Sequence, residues 1–261
     1  MAKPAKENHG QTVKAAVQEA QAARGEGVHP GIGAQVSAVA NAKGEVLPPV
    51  DFADGAITVV KDEGGTQTFT SFAQALDYAD DGDTLQVGAG VYAEAIDLDE
   101  SVTIIGEEGA VLDGSGVETG VATTATVELF DGFSGGSITG LRVIAVEGGN
   151  ALVSIIGEAV TDVSLTGNVF DAGANTVGAV VYLNPGADGV LIEGNSFEGA
   201  ALTGSPLLGV EGDNVTVDGN TFGEVAGPYV KVEIFAGGDA TTEDVVLTGN
   251  SGLADGDIFY G

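Results

Sequence analysis

The sequence predicts an all-β protein, a single right-handed parallel β-helix in which each turn of chain stacks on the turn before it. Four segments resemble one another, and the last of them lacks the final Phe of the others: 163–170, 190–197, 215–222 and 245–250. Within them Asn168, Asn195, Asn220 and Asn250 recur after 27, 25 and 30 residues, a period typical of stacked solenoids. Each segment alternates apolar and polar positions, as a strand does, and then reaches Gly-Asn, a pair that tolerates a left-handed backbone.

The repeat extends upstream in a weaker form. Ser137–Val143 places Gly140 where the later segments have their glycine, and Val102–Gly106 carries the same strand and glycine. Each period also holds further short apolar runs, and no helical pattern separates them. These runs are Leu152–Ile156, Val177–Leu183, Leu207–Val210 and Val230–Phe235. Two to three strands per turn are therefore predicted throughout one domain, residues 51–261.

Stacking of the turns predicts two columns of identical side chains. Buried amides in one column can donate and accept along the solenoid axis and satisfy the backbone groups of the bend. Aromatic rings in the other column gain contact beyond simple burial. The residues predicted to form this structural ladder are Asn168, Asn195, Asn220, Asn250, Phe170, Phe197 and Phe222. We interpret them as structural residues, with no part in ligand binding.

The stretch Phe69–Glu94 resembles the N-terminal entry of pectin-lyase-like right-handed β-helix proteins, and the resemblance covers roughly residues 66–250. It implies a short capping helix, and Phe72, Ala75, Leu76 and Ala79 recur at helical spacing after Thr70 or Ser71 as N-cap. It also implies a strand at 82–87, a turn at 90–94 and a second turn of the solenoid at 101–106. That fold serves lyases, hydrolases, esterases, epimerases, adhesins and inert scaffolds, so it implies no particular activity.

Residues 1–50 differ from the rest and predict a helical or flexible N-terminal arm. Gln11–Arg24 reads as an Ala-rich amphipathic helix, Ala34–Ala42 as a second short helix, and Leu47–Val50 as a stiff linker. Short isolated helices are marginal in water, so the arm is either a mobile tail or a segment that docks on its own solenoid or on a neighbour. The two histidines, His9 and His29, both lie here without flanking carboxylates at ligand spacing.

The chain is strongly acidic, with a net charge of −31. Residues 1–50 have a net charge of +1, whereas the remainder has three basic residues against thirty-five acidic ones. Such a surface repels nucleic acid and anionic lipid, and we expect neither nucleic-acid binding nor membrane insertion. Abundant acid, rare lysine and small apolar residues suit a halophilic or marine source, where salt screens self-repulsion. Cysteine is absent, which excludes disulfides and thiolate chemistry.

Calcium is the one candidate cofactor, since several loops concentrate the carboxylates that it prefers. These loops are 80–83, 97–100, 211–213 and 243–244. None of them matches a known calcium-loop pattern, so the sequence assigns no metal ligand and a solvated surface is the simpler interpretation.

The sequence assigns no catalytic residue. The solenoid has no histidine, and Arg142 has no basic companion to grip an acidic polysaccharide. We expect a non-catalytic structural or interaction protein, extracellular or at the cell surface, although no Sec-type signal peptide begins the chain. Self-association through the N-terminal arm and the solenoid ends, into filaments or oligomers, is the expected mode. The alternative is a polysaccharide-active enzyme or a glycan-binding adhesin, with Tyr92, Tyr182 and Tyr229 as candidate stacking platforms.

Overall fold

The computed structural model describes residues 54–117, 125–157, 159–173, 179–198, 206–224, 231–234 and 244–260. The predicted N-terminal arm, residues 1–50, lies outside these residues, as do His9, His29 and Tyr229.

Short strands follow one another along the described chain, with one α-helix near its start. The elements are β1 (Ile57–Val60), β2 (Thr66–Phe69), α1 (Phe72–Tyr78), β3 (Thr84–Val87), β4 (Gly90–Tyr92), β5 (Ile96–Leu98), β6 (Thr103–Gly106), β7 (Ala110–Asp113), β8 (Val127–Leu129), a 3-10 helix (Asp131–Phe133), β9 (Ser137–Thr139), β10 (Arg142–Ile144), β11 (Ala151–Ile155), β12 (Val160–Thr161), β13 (Ser164–Thr166), β14 (Val169–Asp171), β15 (Ala179–Leu183), β16 (Ala187–Asp188), β17 (Leu191–Glu193), β18 (Ser196–Glu198), β19 (Leu208–Val210), β20 (Thr216–Asp218), β21 (Thr221–Phe222), β22 (Val232–Ile234), β23 (Val246–Thr248) and β24 (Ile258–Tyr260).

The strands form three long sheets, which we call A, B and C in the order in which a turn visits them. Sheet A runs β2-β1-β3-β6-β9-β13-β17-β20-β23, sheet B β4-β7-β10-β14-β18-β21, and sheet C β5-β8-β11-β15-β19-β22-β24. From β3 onward every pairing in these sheets is parallel, and β12 and β16 form a small fourth sheet between C and A. Strands of one sheet come from successive turns, which confirms the predicted all-β fold as a parallel β-solenoid.

The interior is built from apolar side chains that occupy the same position in successive turns. On sheet A this column consists of Leu85, Ile104, Ile138, Leu165, Ile192 and Val217, each in register with the next. All of them are buried, because the alternating side chains of a strand point to opposite faces of its sheet. Burial of each such side chain stabilises the fold by about 1.5–3 kcal/mol. The repeated apolar positions of the sequence are therefore the core of the molecule.

Left-handed backbone flanks sheet A on both sides. After the strands, Gly140, Gly167, Gly194, Gly219 and Gly249 have φ between 62° and 74°, whereas the following asparagines do not adopt this conformation. Before the strands, the corresponding corner uses Asp162, Asn214 and Asp244, with φ of 57°, 51° and 57°. The Gly-Asn pattern of the sequence predicts the first corner, and in the structure the glycine of each pair is the left-handed residue. The pattern does not reveal the second corner, because the left-handed residue there is Asp or Asn in some turns and Gly in others.

The chain enters the solenoid through an antiparallel hairpin that the sequence pattern does not predict. Strand β1 pairs antiparallel with both β2 and β3, so β1 runs opposite to its two neighbours in sheet A. Helix α1 follows, capped by the Ser71 side chain, which accepts a hydrogen bond from the Gln74 N–H. The Glu94 carboxylate accepts two more, from the N–H groups of Phe72 and Ala73 at 2.8 and 3.0 Å. Carboxylate capping of this kind satisfies the free N–H groups of the first helical turn.

The entry segment differs in detail from its sequence-based prediction. Gly90–Tyr92 forms strand β4, where a turn was expected, because its backbone pairs with β7. The strand expected at 82–87 begins only at Thr84, since Gly82 takes a left-handed φ of 89°. The later apolar runs correspond to β11, β15, β19 and β22, whose bounds differ from the predicted ones by at most two residues.

Candidate functional site

The four asparagines form a continuous column of hydrogen bonds in the corner between sheets A and B. Asn168 donates its backbone N–H and its side-chain Nδ2 to Oδ1 of Asn195, and Asn195 donates in the same way to Asn220. Asn220 continues the pattern to Asn250 at 2.9 and 3.1 Å. Each Nδ2 also donates to a backbone carbonyl on the sheet A strand of the preceding turn; for Asn168 the acceptor is the carbonyl of Ile138 on β9.

The three inner amides are buried and engaged within the column. The side chains of Asn168, Asn195 and Asn220 are at most 2% exposed, and each uses both Nδ2 hydrogens and its oxygen within the column. The column starts at the Leu141 N–H, which donates to Oδ1 of Asn168 as the backbone N–H groups of the asparagines do farther along, but Leu141 has no side-chain amide to add a second bond. The geometry is that of a structural ladder.

The phenylalanines form a second column behind sheet B. The rings of Phe197 and Phe222 are stacked with centroids 4.6 Å apart and 13° between their planes. Phe170 and Phe197 are 5.5 Å apart and tilted by 56°. All three rings are buried, and such contacts add stability beyond that of burial alone.

Every basic residue beyond position 50 is held by carboxylates. Arg142 points out from sheet B and pairs with Asp171 and, at 3.2 Å, with Glu198 on the next two strands. Lys231 lies 3.6 Å from Glu224 and 3.7 Å from Asp257 and donates to the Gly252 carbonyl. Lys61 forms the third such cluster, described next. Each of these three cations is therefore paired with two carboxylates.

Lys61 joins the β1–β2 hairpin to the loop 80–83, one of the acidic loops noted in the sequence. Its Nζ lies 2.7 Å from Asp80 and 2.9 Å from the buried Asp83. Asp83 also accepts from the N–H groups of Asp62 and Asp80. Burial by itself raises the pKa of Asp83, but the Lys61 hydrogen bond and these N–H groups outweigh it, so the pKa lies below its usual value. The two aspartates raise the pKa of Lys61.

The carboxylates of loop 80–83 are therefore engaged with the protein itself, since Asp81 accepts from the Ser101 N–H as well. Within the described ranges, no group of three or more His, Asp or Glu side chains is arranged to hold a metal ion. Glu243 of the fourth acidic loop lies outside them, and Asp244 forms a left-handed corner.

A line of polar side chains on the outer face of sheet C is the strongest candidate for chemistry. Asp97, Glu128, Ser154 and Tyr182 occupy the same register position of β5, β8, β11 and β15, and we call them the sheet C strip. Their strand neighbours point inward into the core, so these four point outward. Glu128 is nevertheless only 2% exposed, and its Oε1 accepts from the Ala125 N–H of the preceding loop.

The ionisation of this region is perturbed. Burial, followed by the charges of Glu128 and Asp99, raises the pKa of Asp97. Burial and a hydrogen bond with Glu211 raise the pKa of Tyr182 to about 12. Nearby, a hydrogen bond with Asp99 and partial burial raise the pKa of Glu100 to about 7. Shifted pKa values are more frequent at functional sites than elsewhere, and here the shift of Asp97 coincides with its register pairing with Glu128.

The three candidate tyrosines have different surroundings. Tyr92 is buried, donates from its hydroxyl to the carbonyls of Ala56 or Gly88 at 3.0 Å, and packs edge-on against Phe72. It is therefore part of the entry structure. Tyr182 is a half-buried member of the sheet C strip, and Tyr229 lies outside the described residues.

The solenoid differs at its two described ends. At the β1 end, Ile57 and Val59 of the hairpin and Phe72 of α1 are fully buried, and Phe69 and Leu76 are partly buried. At the β24 end, the core residues Leu247, Leu253 and Ile258 are only partly buried. The exposed fractions reach 48% for Val246, 49% for Phe259 and 70% for Tyr260. We call these six residues the apolar end.

Within the described residues, no helix has the length and apolarity needed to cross a lipid bilayer. No protein-family model matches the sequence, and no significant similarity to a curated protein or a solved structure is found. The fold therefore stands on the strand pairing alone.

Proposed function

We propose that the chain is a non-catalytic structural or interaction protein, extracellular or at the cell surface, that acts by self-association. The apolar end carries this proposal, because Leu247, Ile258 and Tyr260 continue inward columns that are buried in the preceding turns, yet Tyr260 is 70% exposed and the other two are only partly buried. Exposed edge strands pair readily with another chain, and exposed apolar patches mark interaction surfaces. The N-terminal arm is proposed as a second element of assembly.

The engagement of the basic residues also supports a non-catalytic protein. Enzymes that cleave acidic polysaccharides need cationic groups to hold the uronate carboxylates, and Lys61, Arg142 and Lys231 are already paired. We propose that the fold belongs among the pectin-lyase-like β-helices. The Glu94 carboxylate accepts from α1 and the Tyr92 ring packs against Phe72 of α1, which supports this assignment, since both residues belong to the stretch that carries the resemblance.

Self-association is tested on the chain of residues 1–261 by sedimentation velocity over a hundredfold range of protein concentration, in 0.1 M and 1 M NaCl. We expect species larger than the monomer to increase with concentration, and more so in 1 M salt, where the acidic surfaces are screened over about 3 Å. A monomer at every concentration and at both salt concentrations would refute the proposal.

A second candidate function is binding or hydrolysis of a neutral glycan, and the sheet C strip favours it. Asp97 and Glu128 lie on neighbouring strands, and a carboxyl group with a raised pKa next to a second carboxylate is a suitable acid–base pair. Incubation with neutral polysaccharides should then release reducing ends, and Asp97→Asn should abolish the release. If the protein cleaves no neutral glycan, and if no neutral glycan in the gel retards the protein in affinity electrophoresis, this candidate is excluded.

A further inference from the structure

We infer that the outer face of sheet A is the docking site for the N-terminal arm, residues 1–50, of the same chain. The sequence leaves three alternatives open for the arm: a mobile tail, docking on its own solenoid, or docking on a neighbour. The burial of side chains on sheet A favours the second. This inference goes beyond the proposed self-association and does not depend on the apolar end.

Side chains that point away from the core are buried in the middle of sheet A. They flank the inward column of β6, β9, β13 and β17, and alternation along each strand places them on the outer face. Each of them is at most 7% exposed: Thr103, Ile105, Ser137, Thr139, Ser164, Thr166, Leu191 and Glu193. The outer residues of β3 and β20, on either side of these four strands, are half-buried.

Sheet B shows how exposed such positions are on an uncovered face. Its outward side chains stack in the same parallel register, and all of them are half-buried or exposed. Serine allows a direct comparison, because Ser196 on β18 is half-buried whereas Ser164 on β13 is 7% exposed. The low exposure on sheet A is therefore not a consequence of stacked strands alone.

The described elements do not account for this burial. Among the strands and helices of the described ranges, those that pack extensively on β6, β9, β13 and β17 are their neighbours in sheet A. Ile105 and Leu191 are 3% and 7% exposed, yet neither packs into the hydrophobic core of the solenoid. We therefore assign the cover of this face to a segment outside the described ranges.

The connections of the chain single out the arm. Segment 235–243 leads into β23, which lies beyond the buried strands, and four other segments connect sheet B to sheet C, away from sheet A: 118–124, 174–178, 199–205 and 225–230. The arm, by contrast, leads into β1, which lies in sheet A itself, two strands from β6.

The arm also has the length to cover the buried strands. The helix predicted for residues 11–24 would be about 21 Å long, and four strands about 4.8 Å apart are about 19 Å wide. The strands from β1 to β17 cover roughly 24 Å, a distance that the linking residues 25–53 can easily span.

The composition of the arm suits this face. The predicted helix has only valine and alanine on its apolar side, and such small side chains can pack closely on a flat surface of serine and threonine. Glu193 is 5% exposed on the same face, and a buried carboxylate is stable only beside a cation or hydrogen-bond donors. The arm has five of the eight basic residues of the chain, whereas the remainder is strongly acidic, so charge favours the contact.

Thiol labelling tests the docking on the full chain, which has no cysteine of its own. Ser164→Cys places a thiol on the outer face of sheet A, and the matched control Ser196→Cys places one on the outer face of sheet B. In the native protein a maleimide should label position 164 at least tenfold more slowly than position 196. In concentrated urea the two rates should be equal. Equal rates in the native protein would overturn the inference.

Substitutions in the arm then identify the cover. Val13→Asp together with Val17→Asp puts two charges on the apolar side of the predicted helix. This pair should raise the labelling rate at position 164 at least tenfold and leave the rate at position 196 unchanged. Gln11→Asp together with Gln18→Asp adds the same two charges on the opposite side of the predicted helix and should change neither rate. A rate at position 164 that does not respond to the valine substitutions would overturn the inference.

Protein concentration separates docking on the same chain from docking on a neighbour. The labelling rate at position 164 should stay constant over a hundredfold dilution, because an arm of the same chain is not lost on dilution. Faster labelling in dilute protein would assign the cover to a neighbour's arm and overturn the inference, while supporting self-association. Sedimentation of the wild-type chain decides the proposed function separately, since a monomer with a protected position 164 would refute that function and leave this inference standing.

Discussion

Asn168 donates two hydrogen bonds to one atom of Asn195: its backbone N–H at 2.8 Å and its side-chain Nδ2 at 3.1 Å both reach Oδ1. Asn195 repeats the arrangement with Asn220, so the side chain of each turn satisfies the backbone of the turn before it. The ladder thereby links the corner of one turn to the corner of the next, and damage at one rung leaves donors of its neighbour unpaired.

Removal of an inner rung should destabilise the solenoid strongly. Asn195→Ala leaves the buried N–H and Nδ2 of Asn168 without their acceptor, and we expect the free energy of unfolding to fall by about 2–4 kcal/mol. Urea denaturation measures the change. The control is Asn250→Ala at the last rung. Asn250 itself is half-buried, so water can take its place as the acceptor for Asn220, and the loss should be about 1 kcal/mol. Equal losses at the two positions would contradict the ladder energetics.

The phenylalanine column should respond as core. Phe197 contacts rings on both sides, so Phe197→Ala should lower the free energy of unfolding by about 3–5 kcal/mol. Phe259→Ala is the control with the same change of side chain on an exposed position, and it should alter the stability of the monomer by less than about 0.5 kcal/mol. Both are measured at protein concentrations where the monomer prevails.

A glycine with open space around it can separate the cost of a left-handed backbone from the cost of steric contact. A Cβ at Gly194 would meet nothing within 4 Å, but φ there is 63°. Gly194→Ala should therefore cost about 1–2 kcal/mol, entirely from the left-handed backbone. Gly116 also has open space around it and lacks a left-handed φ, so Gly116→Ala should change stability by less than about 0.5 kcal/mol. Thermal unfolding of the two variants side by side decides the point.

The Lys61–Asp83 pair should matter more than the Lys61–Asp80 pair. Asp83 is buried and accepts two backbone hydrogen bonds in addition to Lys61, so Asp83→Asn should cost about 1–3 kcal/mol. Asp80 is largely exposed, and Asp80→Asn should lower the melting temperature much less. Because the pKa of Asp83 is lowered in the folded state, its contribution is present above its unfolded pKa near 4 and is lost as the pH falls through the folded value.

Glu100 predicts the opposite pH dependence. Its folded pKa of about 7 lies above the ordinary value of 4.5, so the folded state retains a proton that the unfolded chain has lost. The stability that depends on this group is therefore complete below about pH 4.5 and decreases as the pH rises towards 7. Glu100→Gln should raise the melting temperature at pH 7 relative to wild type and remove this decline, whereas the exposed Glu108→Gln should not. A parallel decline in all three proteins would contradict the assignment.

The extent of sequence-based prediction depended on whether a residue repeats. Asn168, Asn195 and Asn220 could be assigned to one column because stacking demands the same side chain at the same position of each turn. Asp162, Asn214 and Asp244 form an equally regular left-handed corner, but glycine replaces them at other turns, and no single-residue signal marked it. The antiparallel β1–β2 hairpin occurs once and therefore left no repeat to find.

The sequence by itself determined the solenoid architecture of this protein, because one pattern of strand and Gly-Asn corner recurs every 25–30 residues and stacked turns require such a repeat. Only the tertiary structure decided which outward-facing groups meet. Asp97 and Glu128 come into register through the stacking of β5 on β8, and Lys61 reaches Asp83 across the entry hairpin. The exposure of Phe259 and Tyr260 likewise depends on which strands cover the last turn, a relation between distant segments that no local pattern encodes.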